Sequence, residues 1–101
     1  MKKSSKYVNK IRSTNVYDVA LKSPITKAVG LSLQYGNNIL LKREDMQPVF
    51  SFKLRGAYNK LSKLHKKGIT KPVFAASAGN HAQGVAFASL KLGLKATIVM
   101  P

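Results

Sequence analysis

Residues 73–100 read VFAASAGNHAQGVAFASLKLGLKATIVM, and their pattern indicates the fold class. It opens with a short apolar run, Val73–Ala76, and closes with a β-branched and apolar run at residues 96–100. Both runs are typical of buried strands, and the residues between them are numerous enough for a helix. A strand, a helix and a strand within about 30 residues form a βαβ unit with parallel strands. The sequence therefore predicts an α/β protein with an open parallel βαβ core.

Helices are expected on both sides of the first of these strands. Before it, an apolar stripe at helical spacing follows Ser51, an N-cap candidate, and ends at Gly68, a C′ candidate. This stripe consists of Leu54, Ala57, Tyr58, Leu61 and Leu64. After the strand, a second helix is expected from residue 80 or 81 to Leu92, and Gly93 closes it. Its predicted core stripe consists of Val85, Ala86, Ser89 and Leu92.

The upstream half of the chain has a weaker pattern. Residues 1–22 are basic and thinly apolar, and they predict a helical lead-in. Pro24 then starts a new segment, because proline disfavours helical backbone in the residue before it. A brief helix is expected near residues 27–35 and a strand at residues 39–41. The expected organisation is a lead-in, residues 1–22, followed by residues 23–101 as the first part of a larger domain.

The expected sheet is too small to be complete. Three candidate strands, two of them parallel, leave open edges and uncovered apolar faces. We therefore expect the 101 residues to be the opening of a larger α/β domain. The alternative is that the short chain is itself the product, either as a decayed remnant or as a basic nucleic-acid-binding peptide.

The chain is strongly basic, with 18 Lys and Arg against 3 Asp and Glu and a formal net charge of +15. Few of these residues are Arg, the side chain that nucleic-acid recognition favours, and the lysines are scattered along the chain. Solvated surface lysines therefore explain the charge better than nucleic-acid binding. The lack of cysteine excludes disulfides and thiolate metal sites, and the apolar runs are too short to span a bilayer. We expect no nucleic-acid, membrane or metal partner.

One lysine has a special position. Lys53 follows Phe52 and falls in the first turn of the helix that begins near Ser51. The positive end of the helix dipole and burial beside an aromatic ring both favour the neutral, nucleophilic amine that Schiff-base chemistry requires. An ordinary surface lysine is the alternative, and Lys53 alone does not decide between the two.

The loop after the first strand of the βαβ unit is a candidate anion site. Residues 77–84 read SAGNHAQG, and free backbone amides at a helix start beside a glycine bind carboxylate or phosphate. Open α/β sheets place their ligands at this carboxyl end of a parallel strand. The alternative is an ordinary turn with Asn80 as N-cap. A metal at His81 is not expected, because His65 is the only other histidine and carboxylates are scarce.

Together, these stretches resemble the pyridoxal-phosphate-dependent enzymes of the tryptophan-synthase-β-like fold (fold type II), and within them the threonine deaminases. The resemblance rests on KRED at residues 42–45, QP at residues 47–48, SFKLRGA at residues 51–57 and SAGNHAQG at residues 77–84. It covers roughly residues 16–101. The segment before Ser51 is more similar to the biosynthetic branch than to the catabolic serine/threonine dehydratases.

The resemblance implies a role for each motif residue. Lys53 would hold pyridoxal 5′-phosphate covalently and would be the catalytic residue that moves the α-proton. Phe52 would lie beside the pyridine ring of the cofactor, and Asn80 would bond its phenolic oxygen. The substrate carboxylate would bind Ser77, Ala78, Gly79, Asn80 and His81. The implied reaction is β-elimination from L-threonine to 2-oxobutanoate and ammonia, the first step of isoleucine biosynthesis. The nearest alternative is a catabolic L-serine/L-threonine dehydratase.

The same resemblance places other parts of the site outside this chain. Residues 23–101 would begin the catalytic domain, whereas the phosphate-binding loop, the pyridine-nitrogen contact and the regulatory domain would lie beyond residue 101. The 101 residues alone are therefore expected to be inactive. In serine racemases that resemble the family, a serine at the position of Ala78 acts as the opposite-face acid/base, so alanine favours elimination. The full-length protein is expected to be a cytoplasmic homotetramer that acts on a small amino acid, threonine or serine.

Overall fold

The computed structural model describes residues 2–101, with side chains from residue 5 onward, and Met1 of the predicted lead-in lies outside the described residues. The described helices are α1 (Lys2–Arg12), α2 (Val29–Tyr35), α3 (Lys53–Lys66) and α4 (Asn80–Lys91). The described strands are β1 (Ile25–Lys27), β2 (Leu40–Lys42), β3 (Val73–Ala76) and β4 (Ala96–Val99). Short 3-10 helices cover Val16–Asp18 and Glu44–Met46.

Among residues 2–101, every helix is too short or too polar to cross a lipid bilayer.

The predicted βαβ unit is confirmed by β3, α4 and β4. The two strands pair in parallel, from Val73 opposite Ala96 to Ala76 opposite Val99. α4 packs on one face of this pair, and α3 packs against α4. The buried core between them consists of Ala57, Tyr58, Leu61, Val85 and Ala88. The other face carries Phe74, which is 71% exposed, and Val99, which is 58% exposed. The prediction of a partly uncovered sheet is therefore also confirmed.

The predicted C-terminal glycines of both long helices are confirmed. Gly68, after α3, has a φ of 75°, and Gly93, after α4, has a φ of 66°. At the end of α3, the Gly68 N–H donates to the His65 carbonyl at 2.9 Å and the Ile69 N–H donates to the Leu64 carbonyl at 3.1 Å. This pair of bonds is a Schellman motif, which requires left-handed backbone and therefore favours glycine.

Two details of the predicted helices are wrong. At the start of α3, Phe52 and not Ser51 takes the N-cap position, although the Ser51 Oγ accepts the Lys53 amide N–H at 3.4 Å. In α4, Ala86 is exposed. The buried residues of α4 are Ala82, Gly84, Val85, Ala88 and Ser89. Five of the twelve residues of this helix are Ala, Gly or Ser, so its apolar period is too weak to fix which face is buried.

The upstream half forms a second, antiparallel pair of strands. Ile25 of β1 lies opposite Lys42 of β2, and Lys27 lies opposite Leu40. The connecting helix α2 ends at Gly36, as the turn signal predicts. β2 corresponds to the predicted strand at residues 39–41, whereas β1 was not predicted. A three-residue strand directly after a proline carries too little pattern to be seen in the sequence.

Candidate functional site

Lys53 is the first residue of α3, so its position at the positive end of the helix is confirmed. Its side chain is exposed, and the Nζ lies 5.1 Å from the centre of the Phe52 ring. The expected burial beside an aromatic ring is wrong for the described residues, because Phe52 is itself 58% exposed. Water therefore reaches the amine, and residues 2–101 do not supply the predicted desolvation.

A glycine lets α4 touch the backbone of Lys53. A Cβ atom added at Gly84 would lie 2.9 Å from the Lys53 carbonyl carbon, 3.0 Å from its carbonyl oxygen and 3.1 Å from the Leu54 amide nitrogen. Contacts this short with backbone atoms leave no room for a side chain. Asn80 stands four residues before Gly84 and therefore on the same face of α4. The contact brings the face of α4 that carries Asn80 to the start of α3.

Ser77 organises the loop between β3 and α4. Its Oγ accepts the Ala82 amide N–H at 3.2 Å and the Gly79 amide N–H at 3.3 Å. Gly79 takes the N-cap position and Asn80 is already helical, so the alternative of Asn80 as the N-cap is wrong. The two N–H groups use both acceptor positions of the Ser77 hydroxyl. Within the described residues the Ser77 O–H has no acceptor, so its proton is available to a ligand.

The loop also presents unused amides. Among residues 2–101, the amide N–H groups of Ala78, Asn80 and His81 have no hydrogen-bond acceptor. The Ser77 N–H donates to the Val99 carbonyl at 3.0 Å, which ties the loop to the carboxyl end of β4. Residues 78–81 are exposed, so a small anion can reach these groups. Amides at a helix start carry partial positive charge and suit a carboxylate or a phosphate.

A groove of about 400 Å³ lies beside the site. Its lining includes Gly56 and Lys60 of α3, Phe74 of β3, and His81 and Val85 of α4. Gly56 and Lys60 are three and seven residues after Lys53, so the three share one face of α3. His81 therefore lies where the amide-bearing loop meets the groove.

The sequence motifs contain Gly84 and Ser77, but their structural roles are not among the predictions. These roles are the close contact of Gly84 with α3 and the two hydrogen bonds that the Ser77 Oγ accepts. An isolated glycine inside a helical pattern is the signal for a close approach, and a hydroxyl residue three before a helix is the signal for a cap. Neither signal indicates which residue is contacted. For Gly84, the contacted residue depends on how α3 packs against α4.

Comparison with known proteins gives a consistent family. A family model described as pyridoxal-phosphate dependent enzyme matches residues 16–101. A relative named threonine dehydratase 1 biosynthetic, chloroplastic, from Solanum lycopersicum, is 57% identical over 95 residues. These residues are 94% of this chain and 16% of that protein, so the chain spans a small part of the curated relative it matches.

Two solved structures are similar in fold. The processed form of threonine deaminase isoform 2 from Solanum lycopersicum has a TM-score of 0.88 and 52% identity, and the match covers 99% of this chain and 28% of that one. Maize serine racemase has a TM-score of 0.78 and 31% identity, and the match covers 85% of this chain and 27% of that one. Both assign the α/β core to the same fold as the family.

Proposed function

The chain belongs to the pyridoxal-phosphate dependent enzymes, and we propose that the whole protein is a biosynthetic threonine ammonia-lyase. Its reaction would convert L-threonine into 2-oxobutanoate and ammonia, as the first step of isoleucine biosynthesis. The observation that carries the proposal is the contact between Gly84 and the Lys53 backbone, which brings the start of α3 against the asparagine-bearing face of α4. The names of the threonine dehydratase and threonine deaminase relatives support the substrate class.

The described residues fit a pyridoxal-phosphate site. Lys53 offers an accessible amine for the covalent link, and Phe52 offers an aromatic face beside it. When bound, the cofactor draws electrons from the α-carbon of an amino acid. Lys53 Nζ would take the α-proton, and the β-hydroxyl would leave with a proton as water. Asn80 would bond the phenolic oxygen of the cofactor. Each role requires these side chains to meet at the start of α3.

The loop from β3 to α4 would hold the substrate carboxylate. The free amides of Ala78, Asn80 and His81 and the Ser77 O–H are donors without an acceptor of their own, and Gly79 leaves the backbone accessible. Four donors at one helix start suit a carboxylate. Ala78 carries no group that could transfer a proton, which favours elimination over racemization despite the fold shared with maize serine racemase.

We further propose a cytoplasmic homotetramer in which residues 23–101 begin the catalytic domain. The scattered lysines support solvated surfaces and give no reason to add a nucleic-acid partner. The relative from Solanum lycopersicum is chloroplastic, so the compartment requires a direct test by fractionation or fluorescent tagging of the full-length protein.

The proposal is tested with the full-length gene product by following 2-oxobutanoate formation from L-threonine and pyruvate formation from L-serine. A Lys53→Ala variant is expected to lose at least about 10³-fold in turnover, because the amine is the nucleophile and the proton carrier. The matched control is Lys60→Ala, which removes an exposed amine from the same face of α3 and should stay within about twofold. Full turnover by Lys53→Ala would contradict the assignment of Lys53 as the catalytic lysine. A preference for serine without inhibition by isoleucine would favour the catabolic L-serine/L-threonine dehydratase.

A further inference from the structure

We propose that Glu44 is a positioning residue for Lys53 and acts through Arg55; this inference rests on the proposed function. The Arg55 guanidinium donates to both carboxylate oxygens of Glu44, from Nε at 2.8 Å and from Nη2 at 2.9 Å. Arg55 stands two residues after Lys53 in the first turn of α3. A two-point contact of this kind fixes both the distance and the orientation of the groups that it joins. Glu44 therefore sets where α3 begins.

Further side chains hold the Glu44 carboxylate in place. The Ser23 hydroxyl donates to it at 2.6 Å, and the Gln47 amide donates at 3.2 and 3.3 Å. The Glu44 side chain is 16% exposed and that of Arg55 is 25% exposed, so water competes weakly for the pair. Together with Arg55, these side chains give the Glu44 carboxylate five hydrogen bonds, which restrict its orientation.

The same cluster reaches back to the segment before β1. Gln47 is 1% exposed, and its amide pairs with the Leu21 backbone, accepting the N–H at 2.8 Å and donating to the carbonyl at 2.7 Å. The Arg55 guanidinium also lies 5.3 Å from the centre of the Tyr17 ring. Two upstream segments, residues 17–23 and 44–47, are thereby fixed to the first turn of α3.

The chain between this cluster and Lys53 is strained. Phe50 has a φ of 58°, a left-handed conformation that is unfavourable for an aromatic residue, and its side chain is 78% exposed. Its amide N–H donates to the Gln47 carbonyl at 2.8 Å. A strained segment keeps its shape only while both of its ends are held. If the Glu44–Arg55 pair is lost, the segment is free to relax, and Lys53 at its end moves with it.

The neighbouring carboxylate offers a matched control. Asp45 pairs with Arg43, with the closest contact at 2.7 Å, but its side chain is 60% exposed. Within the described part of the chain, the Asp45 carboxylate has Arg43 as its side-chain partner and does not bond to α3. Glu44→Gln and Asp45→Asn each remove one negative charge from the same turn, but only Glu44→Gln breaks a contact to the helix that carries Lys53.

The test uses the full-length protein and two measurements at a temperature where all variants are folded. The first is hydrogen exchange of the amides at residues 53–56 in the cofactor-free protein. The second is the dissociation constant for pyridoxal 5′-phosphate, followed by the visible absorbance of the lysine-bound cofactor. Glu44→Gln should speed the exchange and weaken cofactor binding about tenfold. Asp45→Asn should change both by less than about twofold.

An unchanged dissociation constant in Glu44→Gln would overturn the proposal, even if the melting temperature falls. Should Glu44→Gln fail to fold, Arg55→Lys keeps the charge but loses the two-point contact, and it should give a smaller change of the same sign. If the wild-type protein does not bind the cofactor, the proposed function fails. The exchange at residues 53–56 then still decides whether Glu44 fixes the start of α3, and an equal rate in both proteins would reject it.

Discussion

Gly84 of α4 and Lys53 of α3 meet so closely that one added carbon on Gly84 would lie 2.9 Å from the Lys53 carbonyl carbon. The two helices therefore touch at the peptide of the residue that carries the candidate nucleophile. Because Gly84 has no side chain, α3 can approach the face of α4 that carries Asn80. The contact that packs the two helices together is therefore also the contact that would position Lys53 in the proposed site.

Replacing Gly84 by alanine should separate α3 from α4. The new methyl group meets backbone atoms that cannot rotate away, so we expect a loss of about 1–3 kcal/mol in the free energy of unfolding. Urea titration followed by circular dichroism measures the change. The control is Gly56→Ala, because Gly56 in α3 has no atom within 4 Å of its added Cβ and should be neutral or up to about 1 kcal/mol more stable. Equal stability of Gly84→Ala and the wild type would contradict the close contact.

The Glu44 carboxylate should make stability depend on acid pH. The hydrogen bond from Arg55, with smaller contributions from Ser23 and Gln47, lowers the pKa of Glu44 from 4.5 to about 2, against the opposing effect of burial. A carboxylate with a lowered folded pKa stabilises the fold above its unfolded pKa, and this stabilisation is lost as the pH falls through the folded value. The loss should therefore occur between about pH 4.5 and about pH 2 and amount to about 3 kcal/mol.

The measurement compares the free energy of unfolding of wild type and Glu44→Gln at about pH 6 and about pH 3. The difference between the two proteins should shrink at the lower pH, because Glu44 binds a proton in the unfolded wild type while the folded carboxylate stays mostly ionised. Asp45→Asn serves as the control, since the Arg43–Asp45 pair is exposed and contributes little. A difference that does not change with pH would show that charge is not what Glu44 contributes.

Removing the Ser77 hydroxyl should weaken both the loop and substrate binding. A Ser77→Ala variant leaves the amides of Ala82 and Gly79 without their acceptor, which should lower the free energy of unfolding by about 0.5–2 kcal/mol. It also removes the O–H that we assign to the substrate carboxylate, so the KM for threonine should rise about tenfold in the full-length enzyme. Ser77→Thr keeps the hydroxyl and should retain most of both properties. An unchanged KM for threonine in Ser77→Ala would show that the Ser77 hydroxyl does not bind the substrate.

A hydroxyl at residue 78 should provide a second group that can transfer a proton at the α-carbon of the substrate. Ala78 is exposed in the loop that precedes α4, and its own side chain transfers no proton. In the full-length enzyme, Ala78→Ser should produce D-serine from L-serine at a rate above that of the wild type, measured by chiral chromatography. Ala78→Val, which adds bulk without a hydroxyl, should not. If elimination continues in Ala78→Ser and no D-serine forms, residue 78 does not face the α-carbon.

The β3–α4–β4 unit could be predicted because its signals are local. Its two apolar runs, the helical segment between them and the glycine after that helix can be recognised without knowledge of the rest of the chain. The face of α4 could not be predicted, because small residues such as Ala86 and Ala88 are equally compatible with burial and exposure. The same limit applies to Lys53, whose place in the first turn is local, whereas its exposure depends on what packs beside Phe52. The contacts of Gly84 and Glu44 bring distant segments together, and no short pattern encodes them.

The proposed function depends on one amine, that of Lys53, forming the covalent link to pyridoxal 5′-phosphate. It is tested by reducing the full-length protein with borohydride in the presence of the cofactor, digesting it, and mapping the modified peptide by mass spectrometry. We expect a pyridoxyl group on Lys53 and on no other lysine of residues 1–101. A modified peptide that carries the group on a different lysine, or a protein that takes up no label, would contradict it.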